Sequence, residues 1–264
     1  ITLRFTQVPQ PAAVHAMSKT LRDWLNEDVA KTRARPVQFL VERHFFRDPC
    51  RPIYSDPALF FSPADGVIIY VREAYPDEPL LNIKGAPYST RMALRDEHFQ
   101  SPSLVIGIFM TFYDVHVNRI PYAGHLTYRE LEPVNSFNLP MLDVEKDLLD
   151  RLEHFSQHAG YLFTNQRVVN QVYSIELGQP YYVLQIADYD VDSITPFRIK
   201  QHQHFAQNQR FSQIRFGSQV DLIIPLSRQF EYQPLVAPGL HVEAGIDPLV
   251  RIVDKGGPQD RRMH

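Results

Sequence analysis

Arg215-Phe216-Gly217-Ser218-Gln219-Val220-Asp221 runs directly into the apolar stretch Leu222-Ile223-Ile224-Pro225. A glycine–serine pair between polar and apolar residues is, on its own, typical of a turn. The apolar stretch is short and rich in isoleucine, which predicts a buried strand. The sequence therefore places Ser218 between a turn and a core strand.

Short strand signals dominate the sequence after residue 57. Each predicted strand is a run of apolar or alternating residues with many β-branched and aromatic side chains. Leu177-Gly178-Gln179-Pro180 predicts a hairpin turn between two of them. The predicted strands lie within residues 59–71, 104–112, 124–131, 167–176, 180–186 and 194–200.

Helical signals concentrate at the N-terminus. Residues 10–34 form one predicted helix whose apolar stripe holds Met17, Leu21, Trp24 and Leu25, and residues 37–46 and 143–158 form two more. We expect the stripe to pack on the body of the protein, and contact of Trp24 with lipid head groups is the alternative. The sequence thus predicts an α+β fold, with a β-rich core of curved antiparallel strands and N-terminal helices.

Composition limits the possible classes of protein. The chain has 264 residues, 44% of them apolar and 22% charged, which indicates a globular protein of one large or two small domains. A net charge of −3 gives no basic field for nucleic acid. Cys50 is the single cysteine, so an internal disulfide and a cysteine-rich zinc site are excluded and a reducing compartment is favoured. We see no segment long enough to span a bilayer and no signal peptide.

Three sequence stretches are informative because of their order and spacing. Phe61-Ser62-Pro63-Ala64-Asp65-Gly66-Val67-Ile68 comes first, Asp114-Val115-His116-Val117-Asn118-Arg119-Ile120-Pro121 second, and the Gly217-Ser218 pair third. In this order and spacing they resemble the phosphatidylserine decarboxylase family. The resemblance implies that the chain cuts itself between Gly217 and Ser218, and that Ser218 becomes a pyruvoyl cofactor. The helical and strand signals along the chain divide it into a helical segment, residues 1–50, and a β-rich catalytic domain, residues 51–264.

The resemblance assigns roles to individual residues. Ser218 is the nucleophile, and Asp65 is the orienting carboxylate of an Asp-His-Ser arrangement. One branch of the family has two histidines in this motif; His116 matches the first, and Arg119 stands where the second would be. Another branch reads Asp-Val-His-x-Asn-Arg, as this chain does. We therefore place His116 at the site for cleavage, decarboxylation or both. Asn118 and Arg119 are assigned to the phosphodiester and carboxylate of the substrate.

The implied reaction converts phosphatidylserine to phosphatidylethanolamine, with the pyruvoyl group as electron sink. The implied partners are a phospholipid, a membrane surface and the two chains released by cleavage, and a homodimer stays open. We expect a peripheral protein on the cytoplasmic side of a membrane, with a soluble cytoplasmic protein as the alternative. Two other functions are weighed: a pyruvoyl-dependent decarboxylase of a soluble amino acid, and a non-catalytic relative that acts as a binding module.

Two segments differ from the family pattern. Asp188, Asp190 and Asp192 alternate, which predicts three carboxylates on one solvated strand face; the spacing does not fit a calcium loop. His202 and His204 lie in a polar stretch with no evident third ligand, so we expect no metal. The altered segment 188–209 favours the soluble amino acid as the alternative substrate.

Overall fold

The computed structural model describes residues 18–151 and 158–256. Its helical turns are short, and several are interrupted by π-helical stretches. The α-helical turns are α1 (Leu21–Trp24), α2 (Ala30–Arg33), α3 (Val37–Phe39), α4 (Thr90–Leu94), α5 (Leu142–Lys146) and α6 (Tyr161–Thr164). The π-helical stretches are Leu25–Val29, Leu40–His44 and Asp147–Arg151.

Strands are the main regular secondary structure of the described residues. They are β1 (Lys19–Thr20), β2 (Leu59–Phe61), β3 (Gly66–Ala74), β4 (Pro79–Ile83), β5 (Ala86–Ser89), β6 (Ser103–Met110), β7 (Val117–Arg119), β8 (Gly124–Leu131), β9 (Arg167–Ser174), β10 (Gln179–Ala187), β11 (Ile194–Pro196), β12 (Gln203–Phe205), β13 (Arg210–Ile214), β14 (Ser218–Pro225), β15 (Phe230–Pro234), β16 (Leu240–Val242) and β17 (Pro248–Asp254). The α+β class with a β-rich core and N-terminal helices is confirmed.

A nine-stranded sheet organises the molecule, in the order β1-β16-β3-β6-β14-β10-β9-β8-β12, and every pairing in it is antiparallel. Strand β14 lies at its centre between β6 and β10, with all eight of its residues buried. Two three-stranded sheets, β11-β13-β7 and β15-β17-β2, and the hairpin β4-β5 complete the fold. The sheet therefore holds both neighbours of the predicted cleavage strand.

Both faces of the large sheet are covered, so the protein has two apolar clusters, one on each face of the sheet. Val220, Leu222 and Ile224 point into one apolar cluster, while Ile223 points into the other. Alternation of side chains along a strand produces this division. Since both sides are apolar, the central strands read as continuous hydrophobic runs. Ser218 lies on the same side as Val220 and next to Met110.

The N-terminal helical turns pack on the body of the protein. Leu21 and Trp24 are buried in the same cluster as Val67 and Phe109, and Leu25 packs against it. Trp24 is only 5% exposed, so the alternative in which it touches lipid head groups is wrong. Met17 and the rest of the predicted helix before residue 18 lie outside the described residues.

Other predictions need adjustment. The strand predicted at 194–200 ends at Pro196; the Phe197 N–H still donates to the Phe211 carbonyl at 2.8 Å, and the chain then leaves the extended conformation at Arg198, whose φ of 52° lies in the left-handed region. Residues 188–193 are not a strand, since β10 ends at Ala187. Asp188 is only partly exposed and accepts a hydrogen bond from the Met141 N–H at 2.7 Å, so it does not belong to a solvated face. The helix predicted at 143–158 is described as far as Arg151.

In residues 18–151 and 158–256, no helix has the length and apolar character needed to cross a membrane.

Candidate active site

Ser218 is the first residue of β14. It pairs with Met110 on one side and with Ala187 on the other, and it is fully buried. Its hydroxyl donates to Met110 Sδ at 3.4 Å. A thioether sulfur is a weak acceptor and cannot take the proton from a hydroxyl. Nucleophilic attack by Ser218 therefore requires a base other than its present partner.

The backbone before Ser218 is strained. Phe216 has φ of 66°, the left-handed region, which a bulky residue rarely adopts and which costs about 1–3 kcal/mol. The ring of Phe45 lies 5.5 Å from the ring of Phe216. A side chain on the next residue, Gly217, would put its Cβ 3.0 Å from Asp188 Oδ2. Glycine at this position therefore allows the carboxylate to approach the backbone closely.

His116 lies fully buried just before β7. Its Nδ1 is 3.0 Å from the main-chain oxygen of Asp114. Because a carbonyl oxygen only accepts, Nδ1 must carry the hydrogen, which leaves a lone pair on Nε2. Nε2 is buried and has no hydrogen-bond partner among the described residues. Burial lowers the pKa of His116 to about 4, against the opposing charge of Asp114, so the imidazole is neutral at pH 7, although the same burial weakens it as a base.

Asp114 joins His116 to a second histidine. Its Oδ1 accepts from His241 Nε2 at 2.7 Å, and its Oδ2 accepts from both the main-chain N–H and the hydroxyl of Thr111 at 2.7 Å. The indole of Trp24 stacks on the His241 ring at 4.2 Å. Burial opposes the charged form of each partner, but His241 lowers the pKa of Asp114 and Asp114 raises the pKa of His241.

Asp65 forms an ion pair with Arg51, whereas Asp114 pairs with His241. Arg51 donates from NH1 to Oδ1 and from NH2 to Oδ2, both at 2.6 Å, and the Ala244 N–H donates to Oδ1 at 2.7 Å. Both side chains are nearly buried, at 8% and 5% exposure. The structure thus gives His116 its hydrogen-bonded orienting group in Asp114, while Asp65 lies near enough to act on His116 through its charge.

The two residues assigned to substrate lie on strand β7 and diverge. Asn118 Nδ2 is 3.7 Å from Met110 Sδ, the same sulfur that Ser218 contacts, and Asn118 Oδ1 accepts from Gln185 at 2.7 Å. Arg119 donates to the main-chain oxygen of Asn208 at 3.1 Å and lies 3.7 Å from Asp48. Asn118 is therefore beside Ser218, whereas Arg119 is already engaged elsewhere.

A buried polar network fixes β14 on the face opposite Ser218. Gln219 donates to Tyr70 Oη at 3.0 Å and to Asp221 Oδ1 at 2.6 Å, and Tyr70 donates to Asp221 Oδ2 at 2.7 Å. Tyr161 donates to Gln219 Oε1 at 2.5 Å. Burial raises the pKa of Asp221 to about 6, with the hydrogen bonds from Gln219 and Tyr70 opposing it. The strand that carries Ser218 is therefore held from behind as well as from both sides.

A cavity of about 330 Å³ opens onto the residues before Ser218. Glu145 and Asp188 each have one carboxylate oxygen held by a main-chain N–H, that of Phe112 at 3.0 Å and that of Met141 at 2.7 Å. Their other oxygens face Gly217, at 3.9 and 3.0 Å from the position of a Cβ on that residue. Burial raises the pKa of Glu145 to about 7 and raises that of Asp188. The cavity lining is Arg33, Phe112, Tyr113, Leu142, Glu145, Lys146, Leu149, Asp188, Phe216 and Gly217.

A larger cavity of about 570 Å³ is lined by Tyr113, as the smaller one is, and by Asp114 and Val115 next to His116. Asp65, Asp114, His241, Trp24 and Arg51 are among its lining residues. It therefore reaches the carboxylates around His116, while the smaller cavity reaches the Phe216-Gly217 backbone.

Sequence reasoning missed several residues of this site. Glu145 lay in a predicted helix with nothing to distinguish it, and Asp188 was assigned to a solvated face. Asp114 belonged to the quoted motif, yet no role was given to it. His241 carried no local signal, because it reaches Asp114 only through the pairing of β16 with β3 and β3 with β6.

Comparisons with known proteins identify the family of this chain. The family model described as phosphatidylserine decarboxylase matches residues 40–248. The phosphatidylserine decarboxylase proenzyme of Erythrobacter litoralis is 32% identical over 224 residues, which cover 84% of this chain and 78% of the relative. That of Novosphingobium aromaticivorans is 31% identical over 243 residues, 91% of this chain and 82% of the relative. The chain belongs to the phosphatidylserine decarboxylase family.

Proposed function

We propose that this protein decarboxylates phosphatidylserine after cutting itself between Gly217 and Ser218. The products of the cut are residues 1–217 and residues 218–264, and the second carries a pyruvoyl group made from Ser218. The observation that carries the proposal is the bare Nε2 of His116: a buried, neutral imidazole with its tautomer fixed and its lone pair unused. In this structure the Ser218 hydroxyl bonds to Met110 Sδ and not to His116, so the cut requires that hydroxyl to turn toward Nε2, where the imidazole would serve as the base that a serine nucleophile needs.

The residues around position 218 fit a pyruvoyl group. Ser218 is fully buried, so the group would be shielded from water. The amide of Asn118 lies close to the same Met110 sulfur as the Ser218 hydroxyl and would supply a donor to a carbonyl oxygen there. When present, the group supplies the electron sink for loss of carbon dioxide from an amino acid head group.

Apart from one water molecule, the self-cleavage uses only groups of this chain. His116 Nε2 takes the proton of the Ser218 hydroxyl as Oγ bonds to the Gly217 carbonyl carbon. The Gly217–Ser218 amide bond then breaks, its nitrogen gains a proton, and an ester joins the two residues. Loss of the Ser218 Cα proton then breaks the bond between Cβ and the ester oxygen, which releases the Gly217 carboxylate and leaves a double bond between Cα and Cβ of residue 218. Water hydrolyses this product, so that the nitrogen leaves as ammonia and a carbonyl oxygen takes its place. The left-handed Phe216 adds strain that favours the cut.

Asp65 acts in this proposal through its charge, which favours the protonated imidazole that forms on His116. Arg119 keeps the role of an oxyanion-binding residue if Asp48 releases it when substrate arrives. Lipid would reach the site through the 330 Å³ cavity, where Leu142 is 57% exposed at the rim. We place the protein as a peripheral protein at the cytoplasmic face of a membrane.

Intact mass measurement tests the cut directly. Wild type should separate into two chains under denaturing conditions, and Ser218→Ala should stay whole. Decarboxylation is then measured on phosphatidylserine vesicles and, in parallel, on free serine. Conversion of the lipid alone supports the proposal, whereas conversion of free serine alone favours the soluble amino acid substrate. Wild type that stays uncut after long incubation contradicts the proposed function.

A further inference from the structure

Asp114 uses every polar group that it has. Its carboxylate accepts from His241 and, twice, from Thr111; its N–H donates to the Thr111 carbonyl at 3.0 Å. Its carbonyl accepts from His116 Nδ1 at 3.0 Å and from Arg47 NH1 at 3.3 Å. The side chain and the carbonyl of one residue therefore connect His241 to His116.

His241 is fixed as firmly as its partner. It is 5% exposed, its ring is stacked under Trp24 with the two planes 11° apart, and its backbone pairs with Val67 in β3 and Lys19 in β1. The ring cannot turn away from Asp114 without losing the stack. The carboxylate of Asp114 is in turn buried, so loss of His241 would leave an unpaired buried charge, which is strongly destabilising.

The contact between Asp114 and His241 joins residues that lie on opposite sides of the cut site in the sequence. Asp114 and His116 precede the cut at residue 217, and His241 follows it. The hydrogen bonds that run from His116 through Asp114 therefore end on a residue that follows the cut site in the sequence. His241 can reach Asp114 only when the segment after Ser218 has docked, since β16 must pair with β3.

We propose that His241 is a positioning residue for self-cleavage: through Asp114 it sets the ring orientation and tautomer of His116, so that the chain cuts itself only after the segment 218–264 has docked. The inference rests on the proposed function, in which His116 is the base. It assigns to His241 a role before the cut.

The tautomer of His116 is the measurement that separates positioning from mere stabilisation. In the uncut Ser218→Ala chain, nitrogen-15 NMR of labelled histidine should show His116 with hydrogen on Nδ1; His116→Gln assigns the signal. Adding His241→Phe keeps an aromatic ring against Trp24 but removes the hydrogen bond to Asp114. We expect the His116 signal to lose its single Nδ1–H form in this variant.

Cleavage rate supplies the second measurement, by intact mass over time in the otherwise wild-type chain. His241→Phe should cut more slowly by on the order of tenfold or more, since a misplaced catalytic group costs factors of this size. His241→Gln, which retains a donor toward Asp114, should cut faster than His241→Phe and serves also if the phenylalanine variant folds poorly. His125→Phe is the matched control, because His125 is also a strand histidine in ring contact, with His204 at 5.2 Å.

Three results decide the matter. Slower cleavage together with an altered His116 tautomer supports the inference. Cleavage of His241→Phe at the wild-type rate overturns it, and so does an unchanged tautomer in a variant that cuts slowly. If wild type itself stays uncut, the proposed function fails, yet the tautomer comparison in Ser218→Ala still decides whether His241 positions His116.

Discussion

The ring of Phe45 lies 4.1 Å from the ring of His116 and covers it. Phe45 follows the π-helical stretch Leu40–His44 and is 1% exposed, and it also reaches the strained Phe216. A residue from the N-terminal helical segment thus shields both the base and the backbone next to the cut. This cover contributes to the burial of His116, and burial is the main cause of its low pKa.

Replacing Phe45 by alanine should open the site to water. We expect a loss of about 3–5 kcal/mol in the free energy of unfolding, typical for a buried phenylalanine. The pKa of His116 should rise from about 4 toward its ordinary value of 6.5 as burial is relieved. Urea unfolding and histidine NMR measure the two effects. Phe46→Ala is the control, since Phe46 is 45% exposed and should change little.

Glu145 should make stability depend on pH. Its pKa in the folded protein, about 7, exceeds the ordinary value of 4.5, so the folded state favours the protonated form. Native stability is therefore lost as pH rises from about 4.5 through 7. Glu145→Gln, which can still accept from the Phe112 N–H, should match wild type at pH 4.5 and unfold at a higher temperature at pH 8. Equal melting temperatures at both pH values would contradict the raised pKa, and Asp143→Asn on the same helical turn is the control.

The Arg51–Asp65 pair should show strong coupling. Removing one partner leaves a buried charge without its counter-ion, which costs about 3–5 kcal/mol. Arg51→Met should therefore destabilise the protein more than the double change Arg51→Met with Asp65→Asn. A double-mutant cycle in urea checks this, and additive losses would show that the two side chains act independently. The cleavage rates of the same variants test the charge effect of Asp65 on His116.

A methyl group on Gly217 should hinder the site. The new Cβ would lie 3.0 Å from Asp188 Oδ2, closer than an ordinary contact. Gly217→Ala should slow cleavage, and Asp188→Ser in the same chain should recover part of the rate by removing the crowding atom. Intact mass over time measures both. No recovery in the double variant would indicate that the flexibility of the glycine backbone, rather than space beside Asp188, is what matters.

Sequence patterns predicted the strands well where apolar runs were long. The run at 104–112 became Ser103–Met110, and the prediction at 124–131 matches Gly124–Leu131. Local patterns failed where an element ended early, as β11 does at Pro196, and where a carboxylate faced the protein interior, as Asp188 does. Trp24 is buried because its apolar stripe packs against the apolar face of the large sheet.

The candidate site was only partly predictable for a physical reason. Motif residues Asp65, His116, Asn118 and Ser218 could be named from adjacent letters. The contact between Asp114 and His241 spans 127 positions and arises from strand order in the large sheet, which no local pattern encodes. The same holds for Glu145, whose pKa depends on tertiary burial.

Strand β14 begins at the predicted cut and is hydrogen-bonded to β6 and β10 throughout its length. A cut there leaves the native structure intact, but unfolding of the cut protein also releases its two pieces from each other. Once the two pieces have separated, regaining the fold is a second-order encounter in which one piece must supply the central strand to a sheet that lacks it. In dilute solution that encounter competes with aggregation of the exposed sheet edges. The cut protein should therefore show hysteresis on heating and cooling, whereas the uncut chain can retrace its path.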